Sequence, residues 1–167
     1  MEYISPTTPR KPKVEKELIL HDQKNQAESL SELNGDDIYS LRPEGWLTDN
    51  VLYAYSQTCL QSAAINNDNV YYGKESIAIT PPSICLLLKM CESDTEVAVK
   101  LAEMDIIHKE LSIWFINDAT ASHSGSHWSV MLFIKKDNIF HHIDSIPNTN
   151  IKHAKTLGTK IRIGLNL

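Results

Sequence analysis

His127 and Trp128 open an apolar run, and Asp144 follows the histidine seventeen residues later. A carboxylate beside a histidine fixes the imidazole tautomer through one ring nitrogen and stabilises the imidazolium, leaving the other nitrogen to act as a base for a nucleophile. The same contact also occurs as an ordinary satisfied polar pair, so spacing alone leaves both readings open. Either way the two side chains must first be brought together, and only one kind of element does that here.

Ser129 to Ile134 (Ser-Val-Met-Leu-Phe-Ile) is a nearly continuous apolar run of strand length, and Ile139 to Ile143 (Ile-Phe-His-His-Ile) is a second. Lys135-Lys136-Asp137-Asn138 between them is short, polar and turn-prone, which predicts an antiparallel hairpin. An even-numbered loop centred between Lys136 and Asp137 sets Ser129 across from Asp144. His127 then shares the face of Ser129, and Asp144 becomes its diagonal neighbour at roughly 7–8 Å between side-chain roots. An odd-numbered loop would put the two on opposite faces.

The rest of the chain supplies helices to cover that hairpin. Thr48 or Asp49 caps a helix expected to run to about Leu60, with Val51, Leu52, Tyr55 and Cys59 on one side. Asn66 to Gly73 reads as a polar loop. Thr80 before Pro81-Pro82 predicts an N-cap and a helix to about Met90. Ser93 and Glu96 form a capping-box pattern for a helix to about Met104, with Val97, Val99 and Leu101 apolar. Leu111 to Ile116 is a strand, and Asn150 begins a helix that Gly158 should weaken. Helices first and a sheet later is an α+β order.

None of the three cysteines suits a nucleophile. Cys59 and Cys91 fall late in their helices, where the negative end of the dipole opposes a thiolate, and Cys85 sits on an apolar stretch as a small core residue. A zinc set can be drawn from His123, His127, His141, His142 and Asp144. It fits poorly, because adjacent strand residues such as His141 and His142 point to opposite faces and His123 lies in a Ser-, Ala- and Gly-rich loop. No metal and no cofactor is expected.

A chain of 167 residues with 42% hydrophobic residues is one domain in size. Residues 1–36, with Pro6-Thr7-Thr8-Pro9-Arg10-Lys11-Pro12-Lys13 and sparse apolar positions, read as a flexible leader in which Leu18-Ile19-Leu20 has the means to dock; residues 37–167 read as the folded domain. The longest apolar stretches are far below the ~18–20 residues of a membrane span, so no membrane partner is expected. Net charge is −5 with no basic stripe, which argues against nucleic acid. Three unpatterned cysteines fit a reducing compartment, the cytoplasm or nucleus.

Several segments in order carry a family resemblance: Trp46-Leu47-Thr48-Asp49, Ile116-Asn117-Asp118, His127-Trp128-Ser129, His142-Ile143-Asp144-Ser145 and His153-Ala154-Lys155. Over about residues 40 to 157 the chain resembles the Ulp/sentrin-type cysteine proteases, which act on ubiquitin-like modifiers, and within them the deneddylase branch. The resemblance implies a papain-like α+β fold. It also implies His127 as the base partner of a cysteine and Asp144 as its orienting carboxylate. Trp46 and Trp128 would flank a narrow channel for the Gly-Gly tail of a Nedd-type, alternatively SUMO-type, modifier, with Asp49 contacting the modifier nearby. Apart from the family, core packing is the ordinary reading of both tryptophans.

The family also has a Gln that helps form the oxyanion hole and a cysteine in an Asp-Cys-Gly step after the Asp. Residues 145–167 contain neither Gln nor Cys. The expectation is therefore a fold incomplete at its C-terminus, with part of the apolar sheet face uncovered. The protease would be truncated and inactive as a 167-residue chain. The alternative is a non-catalytic pseudo-protease module that binds a ubiquitin-like modifier without cutting it.

Overall fold

A computed structural model describes residues 33–66, 73–120 and 123–167. The leader motif and Leu18-Ile19-Leu20 lie outside the described residues, as does most of the loop expected at 66–73. The first element is helix α1 (Gly35–Ser40), whose start falls within the range assigned to the leader. Asn34 caps it by accepting from the amides of Asp36 and Asp37, and Asp37 returns the bond by accepting from the Asn34 amide at 3.0 Å. That reciprocal pair satisfies three amides the helix itself cannot.

Helix α2 (Asp49–Asn66) follows, then strand β1 (Ile77–Ile79), helix α3 (Pro82–Met90) and helix α4 (Asp94–Glu103). Strands β2 (Leu111–Asn117), β3 (Trp128–Ile134) and β4 (Ile139–Ile143) lead to helix α5 (Ile151–Gly164). The sheet order is β1-β2-β3-β4, with β1 parallel to β2 and the other pairs antiparallel. This is a mixed four-stranded sheet with helices, in keeping with the expected α+β class. No helix among the described residues is long and apolar enough to cross a membrane.

Strand alternation sorts the sheet into two faces. Trp114, Ile116, Met131 and Phe133 are buried on one, where Phe140 stacks on Phe133 at 4.6 Å between ring centroids. Ala154, Leu157 and Ile161 of α5 complete this core with Leu88 of α3 and Val97 and Leu101 of α4. On the other face Ile113, Val130, Leu132 and Ile134 are half-buried, while Ile139 and Ile143 are exposed.

The hairpin adopts the expected pairing. Val130 pairs with Ile143 and Ile134 with Ile139 across Lys135–Asn138, an even-numbered loop, so the register continues to Ser129 opposite Asp144. Asn138 closes the turn at φ 52°, a conformation asparagine tolerates better than most residues.

Other expectations need correction. Helix α2 extends past Leu60, and its buried side is Val51 and Ala54 with Gln61; Tyr55 and Cys59 are exposed. Thr80 is not a side-chain cap: α3 begins after Pro81 with no side-chain bond, and the Thr80 amide donates to Ile113 O in the sheet instead. Ser93 caps α4, but Glu96 meets Cys91 Sγ rather than completing the box, and Val99 faces solvent. Strand β1 has no counterpart among the elements expected from sequence, because three residues after a loop show too little periodicity.

Gly158 does not interrupt α5, since tertiary packing on both sides holds the helix through it. A methyl group at Gly158 would lie 3.6 Å from Met131 Sδ, an ordinary contact, whereas one at Gly164 would lie 2.6 Å from Leu101 Cδ1 and 2.9 Å from Val97 Cγ1, both in buried side chains. Gly158→Ala should therefore stabilise the fold by about 0.5–1 kcal/mol, and Gly164→Ala should destabilise it by about 1–3 kcal/mol. Urea midpoints shifting in the same direction for both variants would contradict this packing.

Candidate active site

His127 lies immediately before β3 and Asp144 immediately after β4, so the hairpin register sets them side by side. His127 Nε2 meets Asp144 Oδ1 at 2.5 Å, with the two side chains 13% and 6% exposed. The contact occupies Nε2 and leaves Nδ1 as the ring's second proton-transfer atom. One residue further along the same face, Ser129 Oγ and His142 Nε2 pair at 2.9 Å.

The segment leading into His127 is held by a second carboxylate. Asp118 accepts from the Ser126 and His127 amides at 2.5 and 2.9 Å and from the Ser126 hydroxyl at 2.8 Å. Asn117 Oδ1 accepts from the Ala119 amide, and Lys89 of α3 donates to the carbonyls of Asn117 and Ala119 at 2.5 and 2.7 Å. Gly125, at φ 81°, passes so close that a Cβ would lie 2.0 Å from Asn117 Oδ1. Only glycine fits there.

The far side of the hairpin is met by Asn150, the residue before α5. Its amide donates to Asp144 Oδ2 at 3.0 Å, and the Ile146 amide donates to Asp144 Oδ1, also at 3.0 Å. Asp144 thus accepts from one imidazole and two main-chain amides.

Trp128 Nε1 donates to Leu47 O at 3.1 Å, tying the first residue of β3 to the Trp46-Leu47 segment. Trp46 is 68% exposed, whereas Trp128 is half-buried and packs against the hydrophobic core. Asp37 anchors the segment, accepting from Thr48 Oγ1 at 2.6 Å and Asn50 Nδ2 at 3.1 Å. Asp49, half-buried in the first turn of α2, has its pKa raised by burial, and its charge in turn raises that of the Cys85 thiol. An apolar groove of about 430 Å³ lined by Leu41, Leu47, Val51 and Tyr55 runs beside the segment.

None of the cysteines is engaged with His127. Cys85 is 2% exposed, and burial pushes its thiol up to about 12. Cys91 Sγ contacts Ser93 O and Glu96 Oε2, and the glutamate raises its pKa. Cys59 is exposed on α2. The histidines of the zinc reading are dispersed: His127 and His142 have the partners already named, and His141 is exposed on the other face of β4. No group of three potential ligands occurs among the described residues.

The chain is 27% identical over 132 residues to sentrin-specific protease 8 of Mus musculus, covering 78% of this chain and 57% of that protein. It is 24% identical over 134 residues to probable sentrin-specific protease 8 of Dictyostelium discoideum, covering 78% and 54%. It is 28% identical over 89 residues to NEDD8-specific protease 1 of Arabidopsis thaliana, covering 52% and 39%. The chain resembles the Ulp/sentrin-type proteases, on the deneddylase side. No protein-family model matches it, and it spans little more than half the length of these relatives or less.

Three polar residues that organise the backbone around His127, Asp144 and Trp46 were not assigned a role from sequence. Asp37 had its signal in the Asn34-x-x-Asp37 cap pattern, and Asp118 in its position before a Gly- and Ser-rich loop. Asn150 was legible only as the start of a helix.

Asp118 and Asp144 are both held at about 2 against an ordinary 3.8. Burial pushes each upward, but the donors outweigh it: Ser126 and the His127 amide for Asp118, the His127 ring and the Asn150 and Ile146 amides for Asp144. A carboxylate whose folded pKa is depressed adds stability above its unfolded pKa, and that stability is lost as pH falls through the folded value. The melting temperature should therefore drop between about pH 4 and pH 2. Asp144→Asn should lower the plateau above pH 4 and flatten the drop below it. A wild-type acid slope in that variant would refute the assignment.

Proposed function

We propose that this chain carries the base half and the tail channel of a ubiquitin-like-protein-specific cysteine protease of papain-like fold, of deneddylase type. The observation that carries the proposal is the largely enclosed His127–Asp144 contact, which engages Nε2 and leaves Nδ1 as the ring's second proton-transfer atom. The Trp128–Leu47 bond supports the channel, because it brings the Trp128 indole to the segment bearing Trp46. A Gly-Gly tail has no side chains, so it can pass between indole faces where bulkier residues are excluded by size.

In the reaction of this class, His127 Nδ1 would take the proton of a cysteine thiol while Asp144 stabilises the imidazolium. The thiolate attacks the carbonyl of the modifier's terminal glycine. The tetrahedral intermediate expels the lysine amine, which receives the proton from His127, and a thioester remains. Water, deprotonated by His127, then releases the modifier and restores the thiol. We assign the nucleophile to none of Cys59, Cys85 and Cys91, given their contacts and burial. On this reading residues 1–167 alone bind the modifier without cutting it, in the cytoplasm or nucleus. Asp49 is proposed as a further modifier contact near the channel.

The test is incubation of the 167-residue protein with a Nedd-type modifier carrying a C-terminal thiol-reactive warhead, read by intact mass. Reversible capture of the unmodified modifier is measured in parallel, with a SUMO-type modifier as the comparison. The expected result is no covalent adduct, with capture of the Nedd-type modifier. Trp128→Ala should weaken that capture by about 2 kcal/mol or more, roughly thirty-fold in Kd. An adduct at any of the three cysteines would overturn the nucleophile assignment. Capture unchanged in Trp128→Ala would overturn the channel, and preference for the SUMO-type modifier would overturn the branch.

A further inference from the structure

Asn150 is fully buried at the start of α5, where an asparagine usually turns its side-chain oxygen to the first helical amides. Here it makes no such cap bond. Its amide nitrogen points the other way, donating to His127 O at 3.1 Å and to Ile116 O at 3.2 Å. Because both partners are carbonyls, the orientation of the amide is settled: the donor end must face them. Its oxygen, Oδ1, is left buried and without a partner among the described residues. A buried acceptor without a partner is unfavourable, so the side chain forgoes capping and tolerates a defect to keep its two donors on these oxygens.

The same residue also reaches the carboxylate, since its main-chain amide donates to Asp144 Oδ2. The contacts close a ring that runs from the His127 imidazole to Asp144, to the Asn150 backbone, through its side chain, and back to the His127 main chain. Ile116 O adds the neighbouring strand to the ring. We propose that Asn150 is a positioning residue for the His127–Asp144 pair. It holds the histidine's main chain and the carboxylate at a fixed separation without touching any reacting atom. The inference rests on the protease reading for its meaning, but on the contacts alone for its geometry.

The fork of donors explains the residue type. Aspartate would set negative charge against two carbonyl oxygens, and serine is too short to span both. In either case the main chain of His127 loses its tether to the start of α5, while Asp144 keeps its amide bond. The imidazole and carboxylate would then be free to move relative to each other.

The experiment uses the whole chain with 15N-labelled histidine and reads the low-field proton of the imidazole donating to a carboxylate. Asp144→Asn assigns that signal to His127 by removing it. Asn150→Ala should abolish the signal or return it to the range of a hydrated imidazole while far-UV circular dichroism is retained. Asn150→Ser serves as the second variant, because its hydroxyl can cap α5 in the ordinary way and so keep the helix while removing the fork. The same loss is expected in it. A wild-type signal in either folded variant would overturn the proposal. So would failure of both to fold, since that would make Asn150 a requirement of the helix rather than of the pair. The readout needs neither modifier nor nucleophile, so a failure of the protease reading in the capture experiment is separately visible.

Discussion

The four residues Lys135–Asn138 decide which face every side chain of β3 and β4 occupies, and hence whether His127 and Asp144 can meet. A single residue more or fewer would send one of them to the opposite face. The turn is correspondingly well held. Arg162 of α5 donates to both Asn138 O and Asn138 Oδ1, at 2.8 and 3.1 Å, and its guanidinium lies over the Phe140 ring. Lys135 is fixed from the other side, its amide on Glu110 O and its ammonium on Ile107 O. The helix that packs on the hairpin therefore secures its turn at one end and, through Asn150, the His127–Asp144 pair at the other.

Around the site, irregular backbone is organised by side chains that answer main-chain amides. Asp118 gathers the entry to His127, Asp144 gathers the turn into α5, and Asp37 gathers the Trp46–Asn50 segment. Each is a short carboxylate accepting several donors from loop residues, the arrangement that keeps it ionised while partly removed from water. The carboxylates tie these loop residues to one another and to the ends of the strands and helices beside them. Trp46 and Trp128 belong to the same logic: one hydrogen bond from an indole to Leu47 O connects a loop fixed by Asp37 to a strand fixed by the sheet.

The functional reading follows from where shielding stops. His127 and Asp144 are largely enclosed, while Trp46 is open to solvent and the apolar groove beside Leu47 is lined by exposed Leu41 and Tyr55. On the proposed reading, a largely enclosed His–Asp pair suits the transfer of a proton away from bulk water.

The sequence by itself determined the hairpin and narrowed His127 and Asp144 to two arrangements, one face for an even-numbered turn and opposite faces for an odd one, because strand periodicity and turn chemistry are local; the observed register chose the even turn. It also determined the residue steps on which the resemblance to sentrin-type proteases rests. Tertiary structure decided the rest. Which side of α2 is buried depends on what packs against it, so Ala54 is inside and Tyr55 outside despite equal claims from periodicity. Val99 faces solvent because α4 turns Val97 and Leu101 into the core, and Gly158 stays helical because Met131 and Phe140 pack beside it. The short strand β1 exists through its pairing with β2, and Asn150 gained its partners from Ile116 and His127, thirty-four and twenty-three residues away. Contacts of that separation leave no local pattern, since nothing in the spacing of neighbours records which distant carbonyl a buried amide will face.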